Sequence, residues 1–113
     1  MENCIFCKIA SGEIQSELVY EDDLVVAFHD QVPLAPVHIL IIPRQHIPTF
    51  DDLEDRHKDL AGHLLLVSQK IARQNNLQDK GYRLTMNCGR DAGQEVDHLH
   101  FHLLGGRALG RLG

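Results

Sequence analysis

Apolar positions recur along the chain with two different periods, and the switches between them mark its elements. Ile5 and Ile9 share a face at i, i+4, so Cys4 to Ser11 reads as a short helix ended by Gly12. Leu18-Val19-Tyr20 and Leu24 to Phe28 are β-prone runs, with Glu21-Asp22-Asp23 as the turn between them. Pro33 and Pro36 make Asp30 to Val37 a loop. His38-Ile39-Leu40-Ile41-Ile42 is an apolar strand closed by Pro43, and Pro48 breaks the chain again. Leu53, Leu60, Leu64, Val67 and Ile71 follow one helical face, which predicts a long helix over Asp51 to Asn75, starting at Asp51 or up to two turns later. Asp51 with Glu54 resembles a capping box, and Lys70 and Arg73 suit the helix C-terminus. Tyr82 to Met86 is a strand, Asn87 to Glu95 a glycine-containing loop, and Val96 to Leu104 a last strand ended by Gly105-Gly106. The order predicts an α+β fold: a five-stranded, mostly antiparallel sheet with one long helix and a short N-terminal helix. Residues 1–113 are expected to form a single domain.

Composition narrows the function. Hydrophobic residues at 43% and charged residues at 24% argue against disorder. Acids outnumber bases 16 to 11, which speaks against a nucleic-acid partner. Aromatics are only 5%, with no Trp, so a base-stacking platform is poorly supported. No apolar run approaches the roughly 20 residues that span a bilayer, so no membrane association is expected. The start of the chain lacks a basic, apolar leader, and three cysteines do not suggest a disulfide framework. A cytoplasmic location is the expectation. Residues 1–79 carry 6 basic and 13 acidic side chains, and residues 80–113 carry 5 and 3. An anionic small molecule is therefore expected to prefer the C-terminal third.

Histidine is the abnormal count in the composition, at 8 residues. His98, His100 and His102 alternate with Leu99, Phe101 and Leu103, so a strand would present imidazoles on one face and apolar groups on the other. Adjacent members would sit roughly 6.6 Å apart at about 3.3 Å per residue. One metal ion cannot comfortably hold all three, which leaves at least one imidazole free as a nucleophile or base. Cys4-Ile5-Phe6-Cys7 places two sulfurs on one side of a helical turn. Tetrahedral zinc takes four ligands, and His46 and His98 would complete the set; a redox pair and a metal-free pair are the alternatives. The loop before the histidine row can form an anion nest, with Asn87 and Gln94 as neutral donors. Cys88 reads as a small buried hydrophobe. His57 and His63 fall on the polar side of the long helix and read as solvent-facing, while spacing does not assign His38 to either face of its strand.

Together these residues resemble a known family. His98-Leu99-His100-Phe101-His102-Leu103-Leu104 is similar to the histidine triad (HIT) pattern. The likeness extends through Phe28-His29-Asp30, Ala35-Pro36-Val37-His38, Ile42-Pro43-Arg44-Gln45-His46, Asn87 and Gly93-Gln94-Glu95-Val96. The ending Leu104-Gly105-Gly106-Arg107 resembles the Hint branch, the purine nucleoside phosphoramidases. The resemblance implies a homodimer with a nucleotide pocket in each subunit. It implies cleavage of the P–N bond of purine nucleoside 5′-phosphoramidates, and of related aminoacyl-adenylates, through a nucleotidyl-histidine, releasing AMP or GMP. His100 would be the nucleophile, in a catalytic set with His38, His98 and His102. Phe28 and His29 would line the base pocket and Asp30 would hold the ribose. Asn87, Gly93, Gln94, His100 and His102 would surround the phosphate. Glu95 stands where several eukaryotic relatives carry Ser near the leaving group; it would share a proton with the amine or cap the loop. Cys4, Cys7, His46 and His98 resemble the ligands of a structural zinc, and no catalytic metal is required. The alternatives are a dinucleoside polyphosphate hydrolase on the same fold, a nucleotide-binding regulatory module, and a zinc hydrolase that uses the row as ligands.

Overall fold

A computed structural model describes residues 3–112. Helix α1 spans Ile5–Ser11, with the Cys4 sulfur accepting the Cys7 N–H as its N-cap and Gly12 closing it. Strands β1 (Leu18–Glu21), β2 (Val25–His29) and β3 (Val37–Pro43) follow, then α2 (Lys58–Gln74), β4 (Tyr82–Met86) and β5 (Phe101–Gly105). The sheet runs β1-β2-β3-β5-β4, and every neighbouring pair is antiparallel. The Asp22 carboxylate makes the β1–β2 turn by accepting the Leu24 and Val25 N–H groups, both at 2.8 Å.

Both faces of the sheet are covered, which explains why β3 reads as an unbroken apolar run. Val25, Ala27, Ile39, Ile41 and Leu103 face α2, whose buried stripe is Leu60, Leu64, Val67 and Ile71. The alternate residues Val26, Phe28, Leu40 and Ile42 pack with Phe6 and Ile9 of α1. His38 shares the face of Leu40, which pairs with His102 across β3–β5. The period of two thus carries His38 and His102 to the α1 side and leaves aliphatic residues for α2. Among the described residues no helix is long and apolar enough to cross a membrane.

Helix α2 begins at Lys58, two turns after Asp51 and at the late end of the expected range, and two 3-10 turns, Phe50–Asp52 and Asp55–His57, occupy the stretch before it. There the Asp52 carboxylate accepts from Thr49 N–H (3.0 Å) and Oγ1 (2.8 Å), so the side chains satisfy the backbone locally in place of the Asp51–Glu54 box. Glu54 N–H then donates to His57 Nδ1 at 2.9 Å, and His57 is buried rather than solvent-facing. His63 is also engaged, with Nε2 2.6 Å from Asp22 Oδ2. Strand β5 begins at Phe101, not Val96: the chain turns at His98, whose N–H bonds Val96 O at 2.8 Å, and Leu99 N–H bonds Ile47 O at 2.6 Å. The three histidines therefore do not lie on one straight strand.

Candidate functional site

Two histidines of the row, His98 and His100, are fixed by backbone carbonyls, and the third, His102, by the ring of His38. His98 is fully buried, and its Nε2 lies 2.8 Å from Pro43 O. A carbonyl only accepts, so Nε2 carries the proton and Nδ1 presents a lone pair. That Nδ1 is 3.2 Å from Cys4 Sγ and 3.5 Å from Cys7 Sγ, and His46 Nδ1 is 3.2 Å from Cys7 Sγ. The four ligand atoms all lie within 4.8 Å of one another. Bonds of about 2.0–2.3 Å in a tetrahedron place ligand atoms roughly 3.3–3.8 Å apart, so the arrangement fits zinc. Burial, then the neighbouring Cys4 sulfur, pushes the metal-free Cys7 thiol up to about 11. A bound cation would instead take the thiolates.

His100 Nδ1 is 2.7 Å from the His98 carbonyl. Its proton is therefore on Nδ1, and Nε2 is left as a free lone pair on a cavity of about 380 Å³. The ring of Phe6 packs against His100 at 5.1 Å and 85° and against His98 at 6.0 Å and 74°. Phe6 was not singled out in the sequence. Its position between the two cysteines of the CxxC was the available signal.

On the other side of the cavity, Leu34 N–H donates to His38 Nδ1 at 3.1 Å. His38 Nε2 must then carry the proton, and it lies 2.9 Å from His102 Nδ1 and 3.4 Å from Asp30 Oδ2. His102 in turn keeps its proton on Nε2, a donor at the cavity wall. Burial holds the His38 pKa below the usual range, partly offset by Asp30. Burial and the neighbouring His100 and His38 imidazoles push His102 down to about 4. The chain is thus neutral and directional at pH 7. Asp30, His38 and His102 are close enough to hold a cation, but the Leu34 N–H keeps the needed His38 atom protonated, so the trio suits proton positioning better than metal ligation.

The remaining predicted residues divide. Asn87, Gly93 and Glu95 line the histidine cavity with Asp30. Phe28, His29 and Asp30 border an adjoining apolar cavity of about 260 Å³ with Leu40 and Ile14, which also reaches His100 and His102. Gln94 is turned away from the site: Oε1 accepts from Gly89 N–H (2.9 Å), and Nε2 donates to Pro48 O (2.8 Å) and Val96 O (2.9 Å). Its amide braces the loop rather than offering a donor to a phosphate. Asn87 Nδ2 likewise donates to Ala92 O at 2.7 Å. Among the described residues the Glu95 carboxylate makes no hydrogen bond, so the loop-capping role is not seen. Glu95 borders both the histidine cavity and a further one of about 410 Å³ beside Asn3 and Asp97. Among the described residues no Lys or Arg lines the histidine cavity, so the described part of the positive C-terminal third does not supply its charge. Cys88 is half-buried rather than buried.

Comparison with known proteins agrees with this geometry. Residues 11–109 match the HIT domain family. The chain is 53% identical over 109 residues to the purine nucleoside phosphoramidase of Escherichia coli K12, covering 96% of this chain and 92% of that protein. A histidine triad protein from Clostridium difficile superposes with a TM-score of 0.96 at 47% identity, covering 100% of this chain and 98% of that one. A HIT family hydrolase from Legionella pneumophila Philadelphia 1 does so with a TM-score of 0.94 at 47% identity, covering 96% of each chain.

Proposed function

Since this chain belongs to the HIT domain family, we propose that it is a purine nucleoside phosphoramidase whose nucleophile is His100. The observation that carries the reading is the 2.7 Å contact between His100 Nδ1 and the His98 carbonyl, which leaves Nε2 unprotonated at the cavity. Nε2 attacks the α-phosphorus as the P–N bond breaks, and the amine leaves with a proton taken from solvent water. Water then cleaves the nucleotidyl-histidine and releases AMP or GMP. Two displacements replace one difficult step. As His100 becomes cationic in the first of them, the His98 carbonyl stabilises the charge, and His102 Nε2–H donates to a phosphate oxygen. Asp30 holds the ribose, with the base on Phe28 and Leu40. Asn87, Gly93 and Glu95 border the phosphate and its leaving group.

Two carboxylates and, among the described residues, no Lys or Arg at the cavity favour an amine over a polyphosphate leaving group, which supports this reading over dinucleoside polyphosphate hydrolysis. Cys4, Cys7, His46 and His98 would hold a structural zinc, which when bound would tie α1 to the loops around the row; no step requires it. The exposed Leu65, Leu66 and Tyr82 support a homodimer formed on the α2 and β4 side. Both core layers share one sheet, which supports a single domain, and unpaired thiols suit a cytoplasmic location.

The test is His100→Ala assayed with adenosine 5′-phosphoramidate and with a dinucleoside polyphosphate. The expected result is preferred turnover of the phosphoramidate by the wild type, an AMP adduct on the protein in a rapid acid quench, and loss of both in the variant. Turnover retained by the variant would overturn the nucleophile. Tight AMP binding with no turnover of either substrate would favour a regulatory module.

A further inference from the structure

The ending Gly105-Gly106-Arg107 takes no part in the chemistry above, yet it is built closely against the loop that leads into His38. A Cβ at Gly105 would stand 2.9 Å from Leu77 Cδ1. A Cβ at Gly106 would stand 2.8 Å from Pro36 Cβ, and Gly106 has φ of +94°, where an L side chain is strained. Glycine at 106 lets the chain leaving β5 lie directly on Pro36 of the loop before His38, while Gly105 makes room for Leu77. The next residue uses that approach: an Arg107 Nη donates to the Leu34 carbonyl at 2.7 Å.

Leu34 is the residue whose N–H sets the His38 tautomer. Its peptide units link the guanidinium to the histidine chain in one line: Arg107 to Leu34 O, Leu34 N–H to His38 Nδ1, His38 Nε2–H to His102 Nδ1. We infer that Arg107 is a positioning residue, which holds the Leu34 loop so that His102 faces the substrate with a proton. If the loop lifts, His38 Nδ1 is free to take the proton. His38 Nε2 then becomes an acceptor, His102 must donate through Nδ1, and its cavity atom changes from donor to lone pair. A lone pair facing a phosphate oxygen repels the charge it should stabilise. The device relies on the functional reading above only for what His102 does; the tautomer link can be read with no substrate present.

The experiment uses the full chain in two variants, Arg107→Ala and Arg107→Met, the second keeping the apolar stem if the first folds poorly. Ring-nitrogen NMR of the ligand-free protein at pH 7 is expected to show His38 and His102 as Nε2–H tautomers in the wild type. Both variants are expected to move His38 toward a tautomer mixture, while His100 keeps its Nδ1–H signature. For adenosine phosphoramidate, kcat is expected to fall about fivefold with KM within about twofold, the scale of one exposed charge-assisted hydrogen bond. Arg107→Lys should restore part of the kcat. An unchanged His38 signature in both variants overturns the inference, even if Tm falls, because a merely structural arginine would lower Tm alone. A shifted signature in a protein that turns over no phosphoramidate would keep the tautomer link and overturn the functional reading instead.

Discussion

His98 meets two neighbours with two different groups: its ring Nδ1 lies 3.2 Å from Cys4 Sγ, and its carbonyl accepts His100 Nδ1–H at 2.7 Å. The candidate metal set and the candidate nucleophile therefore share one residue. Phe6, between the two cysteines, adds a second link by packing on both rings.

Metal removal should therefore act on stability first and on the nucleophile second. Protein purified without chelators is expected to carry about one zinc per chain. Chelation, or Cys7→Ser, should lower Tm by several degrees, because zinc binding adds to the folding free energy. Loss of metal should also broaden or shift the His100 ring signals, since its backbone anchor is then held by packing and the Pro43 and Val96 hydrogen bonds without a metal bond. Metal analysis that finds no stoichiometric zinc would end the structural-zinc reading.

Stability should also depend on the neutrality of His102. Burial and the imidazoles of His100 and His38 hold its folded pKa at about 4, opposed by Asp30, against an unfolded value near the usual 6.5. The unfolded chain thus binds a proton that the native state refuses. The stabilisation is complete above pH 6.5 and is lost as pH falls toward 4. His38, depressed in the same direction by burial, adds to the slope. Thermal melts from pH 7.5 to 4.5 should show Tm falling in this window, and His102→Gln should flatten the profile. An equal slope in the variant would reject His102 as its source.

The legibility of these features in the sequence followed the range of the interactions that make them. Apolar periodicity marked β2, β3 and α2 because each has a face buried over several residues. Cys4, Cys7, His46 and His98 were legible as donor chemistry, and the structure brings them together. The straight histidine row was not, because His98 is drawn out of the sheet line by sulfurs distant in sequence. His57 departs from the pattern for a related reason: it is buried, and its ring accepts a partly buried hydrogen bond from Glu54 N–H. Gln94 has the right chemistry for a phosphate, but its three bonds to the loop use that capacity.

Acid should open the molecule at a second point. Asp22 accepts from Tyr20 Oη at 2.6 Å, from His63 Nε2 at 2.6 Å and from the Leu24 and Val25 N–H groups. Burial alone would raise its pKa, but these bonds outweigh burial and hold the carboxyl well below the usual carboxylate range. A depressed carboxylate contributes stability above its unfolded pKa of about 3.9, and that stability is lost as pH falls further. Asp22→Asn should cost about 1–3 kcal/mol at pH 7 in denaturant titrations. The gap to the wild type should narrow between pH 4 and pH 2, and a constant gap would show that the charge of Asp22 is not what matters.

The last prediction concerns Glu95, the carboxylate that borders the histidine cavity without a hydrogen-bond partner among the described residues. When the P–N bond breaks, the nitrogen gains a proton and, for an alkyl amine, a positive charge. A carboxylate beside it stabilises that charge, and the gain grows with the basicity of the amine. Glu95→Gln keeps the shape and removes the charge. For adenosine phosphoramidates of alkylamines, kcat/KM should fall about tenfold, the shortfall expected of an exposed group against the roughly 10²–10⁴ of a buried acid or base. For weakly basic arylamines, which leave without help, the loss should stay within about twofold. The slope of log kcat/KM against amine pKa should therefore steepen in the variant. Parallel slopes would remove Glu95 from leaving-group departure and leave it as a rim residue of the cavity.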